Sequence, residues 1–272
     1  MIIFTIFIIL SLLLGGLIFF LIGQFSFWYN YLILLLLFIA SFIVIVGLYA
    51  LLLLIFSSFL KNDNDVKKIP KFYSFIVKET ATLLLIIMNV HIKFTGTEKL
   101  PLEHAVYVSN HVSGYDGMVV LKCIKDKPLS VITKIEYLNN PFTGKLFHQA
   151  GFIHIDRNDE FQAAKCLIKG INYLRNDEAS VYICPEGTRN HNPETLLPYQ
   201  GGAFKMAFKT KRPIVVLALK NTEKIKKNYV IKPTKVFLKV VKVYHYDDYK
   251  DIEIDDLAEQ IRQETLEALR EF

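Results

Sequence analysis

Two long apolar runs open the chain. Ile2 to Ile22 contains no charged residue, and neither does Leu32 to Leu60. At about 1.5 Å per helical residue the first run reaches about 31 Å, close to the ~30 Å hydrocarbon core of a bilayer. The second is long enough to span with tilt. Between them Gly23, Gln24, Ser26 and Asn30 interrupt the pattern, and Phe25, Phe27, Trp28, Tyr29 and Tyr31 cluster where an interfacial aromatic belt would sit. This predicts a two-helix hairpin over residues 1–60, either crossing the membrane or embedded in it. A cleaved signal peptide is disfavoured, because residues 1–22 have no basic n-region and no A-x-A-like cleavage site.

The pattern then changes. Phe72 to Val90 mixes Lys78 and Glu79 with Phe75, Ile76, Leu83, Leu84, Ile87 and Met88. That helical period suits an amphipathic helix at the interface, and equally an ordinary helix packed on a soluble domain. From His91 onward, β-rich runs alternate with helical patterns. The runs are His91–Phe94, Ala105–Ser109, Leu129–Thr133, Gly151–Ile155, Ser180–Cys184, Pro213–Leu219 and Lys235–Val243. Between Asp159 and Leu174, the positions Ala164, Leu167, Ile168, Ile171 and Leu174 form one helical stripe. A last helix is expected over Asp255–Arg270, acidic at its start and basic at its end. The prediction is an α/β domain, a mixed sheet flanked by helices, carried by an N-terminal two-helix membrane anchor. Its parts are the hairpin 1–60, a basic linker with an amphipathic helix over 61–90, and the α/β domain 91–272.

Charge sharpens that division. Lys+Arg number 32 against 26 Asp+Glu, a net charge of +6, and none of these residues lies in 1–60. Lys61, Lys67, Lys68 and Lys71 come after the second run, whereas the Gly23–Asn30 turn carries no positive charge. The positive-inside rule therefore puts the turn outside, with the α/β domain on the cytoplasmic face of the cell membrane. The three cysteines lack CxxC spacing, so neither a disulfide framework nor a cysteine zinc site is indicated. Basic residues are scattered without a nucleic-acid-binding signature, so nucleic acid is not expected as a partner. Beside a lipid anchor, the charge fits anionic headgroups or phosphorylated small molecules.

Three polar clusters stand at the ends of expected strands, where open α/β sheets place ligands. After Ala105–Ser109 comes Asn110-His111-Val112-Ser113-Gly114-Tyr115-Asp116. On a continuous helix His111 and Asp116 would lie about 140° apart. They meet only if the chain turns between them, with Gly114 as the hinge. Asp116 would then cap the next helix and accept the His111 ring N–H, leaving the other ring nitrogen as a base. A serine triad through Ser109 or Ser113 lacks a G-x-S-x-G elbow. The second cluster is Gly151-Phe152-Ile153-His154-Ile155-Asp156-Arg157, and the third is Cys184-Pro185-Glu186-Gly187-Thr188-Arg189. Lys134, Arg157 and Arg189 supply donors for an anionic ligand, and Glu186 either holds an arginine or binds a ligand hydroxyl. Taken singly, each cluster also fits a salt-bridged loop. A metal-dependent phosphohydrolase is disfavoured by the absence of H-x3-H or H-E-x2-H spacing, and a non-catalytic adaptor by the presence of both His111 and Asp116.

In this order, the clusters resemble the PlsC-type 1-acylglycerol-3-phosphate acyltransferase family. Asn110-His111-x4-Asp116 is similar to its HX4D signature, Gly151–Arg157 to its G-x-I-x-I-D-R block, Glu186–Arg189 to its E-G-T-R block and Arg212-Pro213-Ile214-Val215 to its fourth. The resemblance covers about residues 90–220. His154, Asn190 and Val216 depart from the family's usual residues. The resemblance implies acyl transfer from acyl-CoA or acyl-carrier protein to the sn-2 hydroxyl of lysophosphatidic acid, giving phosphatidic acid in membrane lipid synthesis. Another lysophospholipid or a glycerol-phosphate is the alternative acceptor. It further implies His111 and Asp116 as catalytic residues and Lys134, Arg157, Glu186, Gly187, Thr188 and Arg189 as substrate-binding residues. Neither metal nor cofactor is required.

Overall fold

The computed structural model describes residues 1–22, 27, 29–60, 66, 68–125, 127–141, 143–156 and 159–272. Phe25 and Trp28 of the expected aromatic belt, Lys61 and Lys67 of the basic cluster, and Arg157 lie outside the described residues.

The two apolar runs form α1 (Ile2–Ile22) and α2 (Tyr29–Phe59). They pair antiparallel, with the Phe7 ring edge-on to Tyr49 at 5.3 Å and Phe4 edge-on to Phe42 at 6.2 Å. Their outer surface stays apolar: Phe20 is 70% exposed and Leu36 64%. Both helices are long and apolar enough to cross a membrane. Helix α3 (Lys71–Ile87) joins the hairpin to the rest of the chain. Its Leu83 and Ile87 pack on Ile3 and Phe7 of α1, and the Thr80 and Tyr49 hydroxyls share a hydrogen bond of 2.7 Å. Its Val77 and Leu85 enter the core of the α/β domain. One helix thus serves both neighbours, while Phe72 and Phe75 stay exposed.

Among the described residues the sheet is built from seven strands: β1 (Val90–Thr95), β2 (Val106–Ser109), β3 (Leu129–Lys134), β4 (Ile153–Ile155), β5 (Ser180–Ile183), β6 (Ile214–Lys220) and β7 (Thr234–Tyr244). Their order across it is β1-β7-β6-β2-β5-β3-β4. From β6 to β4 the strands are parallel; β7 runs antiparallel to β6 and parallel to β1. Between and after them lie α4 (Asp116–Cys123), α5 (Gly144–Gln149), α6 (Glu160–Arg175), α7 (Lys205–Thr210), α8 (Lys224–Asn228), α9 (Tyr246–Tyr249) and α10 (Ile254–Arg270). The expected runs match these strands within two residues at each end. At β4, Gly151 and Phe152 are taken by the turn after α5, their amides donating to the His148 and Phe147 carbonyls at 3.0 and 2.9 Å.

The side-chain alternation of β6 builds both faces of the core. Val215, Leu217 and Leu219 join Tyr107, Val119, Val120 and Leu85 on one side. Ile214, Val216 and Ala218 join Phe204, Met206, Leu257 and Ile261 on the other. A strand covered on both faces must read as a continuous apolar run, as Ile214–Leu219 does. Because β6, β2, β5, β3 and β4 are parallel, their carboxyl ends share one edge. His111, Lys134, Asp156, Glu186, Arg189 and Thr222 all come just after those strands or end them.

Candidate active site

The loop after β2 is tied to the strands beside it. Asn110 pairs its side chain with the Leu219 backbone of β6, donating to the carbonyl at 2.9 Å and accepting from the amide at 2.8 Å. Ser109 donates to the Asn110 carbonyl at 2.9 Å and shares a 2.8 Å hydrogen bond with the Tyr182 hydroxyl. Ser113 accepts the Tyr115 amide at 3.2 Å. Among the described residues, neither serine hydroxyl hydrogen-bonds the His111 ring, which pairs with Asp116.

His111 Nδ1 lies 2.8 Å from Asp116 Oδ2. That same oxygen accepts the Val112 and Ser113 amides at 3.0 Å each, and Oδ1 accepts the Thr222 hydroxyl at 2.5 Å. Asp116 is fully buried, and a buried carboxylate is tolerated when its lone pairs are satisfied in this way. An acceptor-only carboxylate requires Nδ1 to carry a proton, which leaves Nε2 for proton transfer. A local expectation needs correction. Asp116 is not the helix cap: Tyr115 precedes α4, and the carboxylate reaches back to loop amides. The chain does turn at Gly114, without a left-handed conformation there. A Cβ at Gly114 would meet Arg189 Nη2 at 3.4 Å and the Tyr137 hydroxyl at 3.6 Å, so both groups lie over it.

The third cluster grips the first. Gly187 adopts a left-handed conformation, φ 68°, that turns the chain after Glu186. Glu186 Oε1 accepts the His111 amide at 2.7 Å and Oε2 accepts the Leu197 amide at 3.0 Å. The Asn190 amide donates to the His111 carbonyl at 2.7 Å. Both backbone polar groups of His111 are thereby held by the segment after β5. Burial raises the Glu186 carboxyl above its ordinary range, and the two amides offset part of that. For His111, burial works against the charged ring, but the Cys184 sulfur and the Asp116 carboxylate outweigh it and raise the ring to about 10.

Arg189 is exposed and donates from Nη2 to the Tyr137 hydroxyl at 2.9 Å, beside Gly114. The structure thus brings His111, Asp116, Glu186 and Arg189 together. Thr188 is exposed next to them, and Lys134 is exposed at the end of β3. In the second cluster, His154 pairs Nδ1 with the Thr133 hydroxyl at 3.0 Å. Burial, with repulsion from His148 and Lys169, pulls its ring down to about 4. His154 is therefore a neutral packing residue at physiological pH. Thr222, Tyr137, Cys184 and Asn190 carried no signal of their own beyond standing near strand ends.

The chain is similar to known acyltransferases. Residues 91–220 match the family model described as Acyltransferase. A Saccharomyces cerevisiae 1-acyl-sn-glycerol-3-phosphate acyltransferase is 26% identical over 70% of this chain and 63% of its own length. A Salmonella typhimurium protein of the same name is 34% identical over 44% of this chain and 48% of its own. The aligned regions thus span less than two thirds of either relative. A solved structure from Thermotoga maritima, the 1-acyl-sn-glycerophosphate (LPA) acyltransferase PlsC, superposes with a TM-score of 0.60. That superposition covers 82% of this chain and 89% of the other at 19% identity, a likeness of fold.

Proposed function

We propose that this chain is an acyltransferase of the PlsC type and that it acylates the sn-2 hydroxyl of 1-acylglycerol-3-phosphate, giving phosphatidic acid. The observation that carries this reading is the His111–Asp116 pair at 2.8 Å, with Asp116 fully buried and Arg189 beside Gly114 of the same loop. His111 Nε2 removes the proton of the acceptor hydroxyl as that oxygen attacks the thioester carbonyl. The tetrahedral intermediate then collapses, the carbon–sulfur bond breaks, and the thiol leaves with the proton returned from His111. Asp116 orients the ring and stabilises its positive form. No covalent intermediate with the chain is needed.

Arg189, Lys134 and Arg157 hold the acceptor phosphate, Arg189 through the bidentate geometry that guanidinium offers phosphate oxygens. Thr188 and Gly187 present that turn to the ligand. Glu186 acts as a positioning residue, because both its oxygens hold backbone amides around His111. The acyl donor is a thioester of coenzyme A or of acyl-carrier protein. Placing hydroxyl and thioester together is the kind of orientation that contributes about 7–11 kcal/mol in well-aligned cases.

The hairpin supplies the lipid substrate by keeping the domain at the membrane. Lys68 and Lys71 come after α2 in the chain, and Lys145 donates to the Ser58 carbonyl at 3.2 Å, so positive charge gathers at the hairpin's base. This supports a cytoplasmic face for the domain. The test is a comparison of acceptors: the detergent-solubilised full chain, given a labelled acyl thioester, should acylate lysophosphatidic acid faster than lysophosphatidylcholine, lysophosphatidylglycerol or glycerol-3-phosphate. Preference for one of the others would reassign the acceptor, and no transfer to any would reject the activity.

A further inference from the structure

The link between α8 and β7 is an exposed apolar tip set among lysines. Tyr229, Val230 and Ile231 are 57%, 48% and 89% exposed. Lys224, Lys226, Lys227, Lys232 and Lys235 flank them, all exposed. The sequence places no acidic residue between Glu223 and Asp247. Among the described residues none of these five lysines forms a salt bridge. Three consecutive apolar side chains in water, ringed by unpaired cations, are costly in a free surface and fit a partner both apolar and anionic.

Its place in the fold indicates which partner. The Thr234 amide, at the start of β7, donates to the Asn89 carbonyl at 3.0 Å, so the tip hangs beside the end of α3. One turn back, Ile87 and Leu83 pack against the apolar hairpin. Leu84, on the same helix, is exposed. The tip therefore lies near the end of α3, the helix on which the hairpin packs. It also lies near the site: Tyr229 is close enough to help raise the Tyr115 phenol, though burial does more, and Tyr115 adjoins Asp116.

We propose that residues 224–235 form a second membrane contact, in which Tyr229, Val230 and Ile231 enter the interfacial layer of an anionic bilayer and the lysines bind its headgroups. An acidic protein would account for the lysines and leave the apolar tip unexplained. An isologous second copy would set five lysines against five. The contact keeps the mouth of the site against the lipid surface, and it stands whether or not the acyltransferase reading does.

The test is amide hydrogen exchange on the full chain, reconstituted in vesicles of phosphatidylcholine alone or with phosphatidylglycerol added. Exchange over residues 226–232 should slow roughly ten-fold or more on adding the anionic lipid, and the protection should fade at high salt. Ile231→Asp, and Lys226→Glu combined with Lys227→Glu and Lys232→Glu, should each abolish it while α10 exchanges as before, which controls for folding. Equal exchange in both vesicles would overturn the proposal. Protection that grows with protein concentration in detergent would give the tip to a second copy, and protection by an acidic carrier protein without lipid would give it to that partner; either overturns the proposal.

Discussion

Glu186 grips His111 by its backbone: the carboxylate accepts the His111 amide at 2.7 Å and leaves the ring to Asp116. The E-G-T-R turn is therefore joined to the HX4D loop through main chain. Glu186→Gln keeps the shape and replaces one acceptor oxygen with a donor that faces an amide, an unmade buried bond that costs about 1–3 kcal/mol. The predicted result is a fall in kcat with little change in the acceptor KM. A raised acceptor KM at unchanged kcat would instead make Glu186 a ligand-binding residue.

The pH profile tests the environment of the ring. His111 is raised above 6.5 to about 10, so kcat/KM should climb with pH through an acid limb that lies above the ordinary histidine value. Asp116→Asn and Cys184→Ala each remove a group that raises the ring, and each should move that limb toward lower pH. The stability linkage has a definite sign. A group raised on folding contributes stability that is fully present below its unfolded value, near 6.5, and is lost as pH rises through about 10. Wild type should therefore lose more stability than His111→Gln between those limits, as read by denaturant melts at each pH. A limb at or below 6.5 that neither variant moves would contradict this picture.

Arg189 is exposed and, among the described residues, hydrogen-bonds the Tyr137 hydroxyl. Its loss should leave the fold intact. Arg189→Ala is predicted to raise the acceptor KM at least about ten-fold, since charged hydrogen bonds contribute roughly 1.5–3 kcal/mol. The donor KM should be little affected, and Arg189→Lys should recover only part of the loss. Equal effects on both substrates would indicate a structural role.

The charge boundary after Leu60 reads as a clean junction, but the hairpin is packed into its neighbour. Leu83 is 2% exposed because α1 covers it, and the Ile3 amide donates to Glu79 at 3.0 Å. Removing residues 1–60 uncovers Leu83, Ile87 and Thr80. The truncated chain should bind membranes more weakly than the full chain, keep its α/β circular dichroism in mild detergent, and associate with itself without detergent. A monodisperse truncation in detergent-free buffer would show that α3 does not need this cover.

Much of this was legible along the chain because the deciding interactions are local or periodic. The strands declared themselves by β-rich runs between turns, α1 by an uninterrupted apolar run, and His111 with Asp116 by a short loop between a strand and a helix. Thr222 was not legible. It meets Asp116 across 106 positions only because β6 lies next to β2 in the sheet. The same holds for Arg189 and Tyr137, which belong to different strand exits and meet above Gly114. Asp116 was misread as a helix cap because its own helix start is the nearest set of free amides in sequence, whereas the folded loop offers those of Val112 and Ser113.

The most direct test of the central claim is formation of labelled phosphatidic acid from lysophosphatidic acid by the full chain and by His111→Ala, each confirmed folded by circular dichroism. Wild type is predicted to make the product, and His111→Ala to make it at least ~10²-fold more slowly, the loss expected for a general base. A folded His111→Ala that retains more than about a tenth of the wild-type rate, where ~10²-fold or more is the expected loss, would contradict His111 as the base.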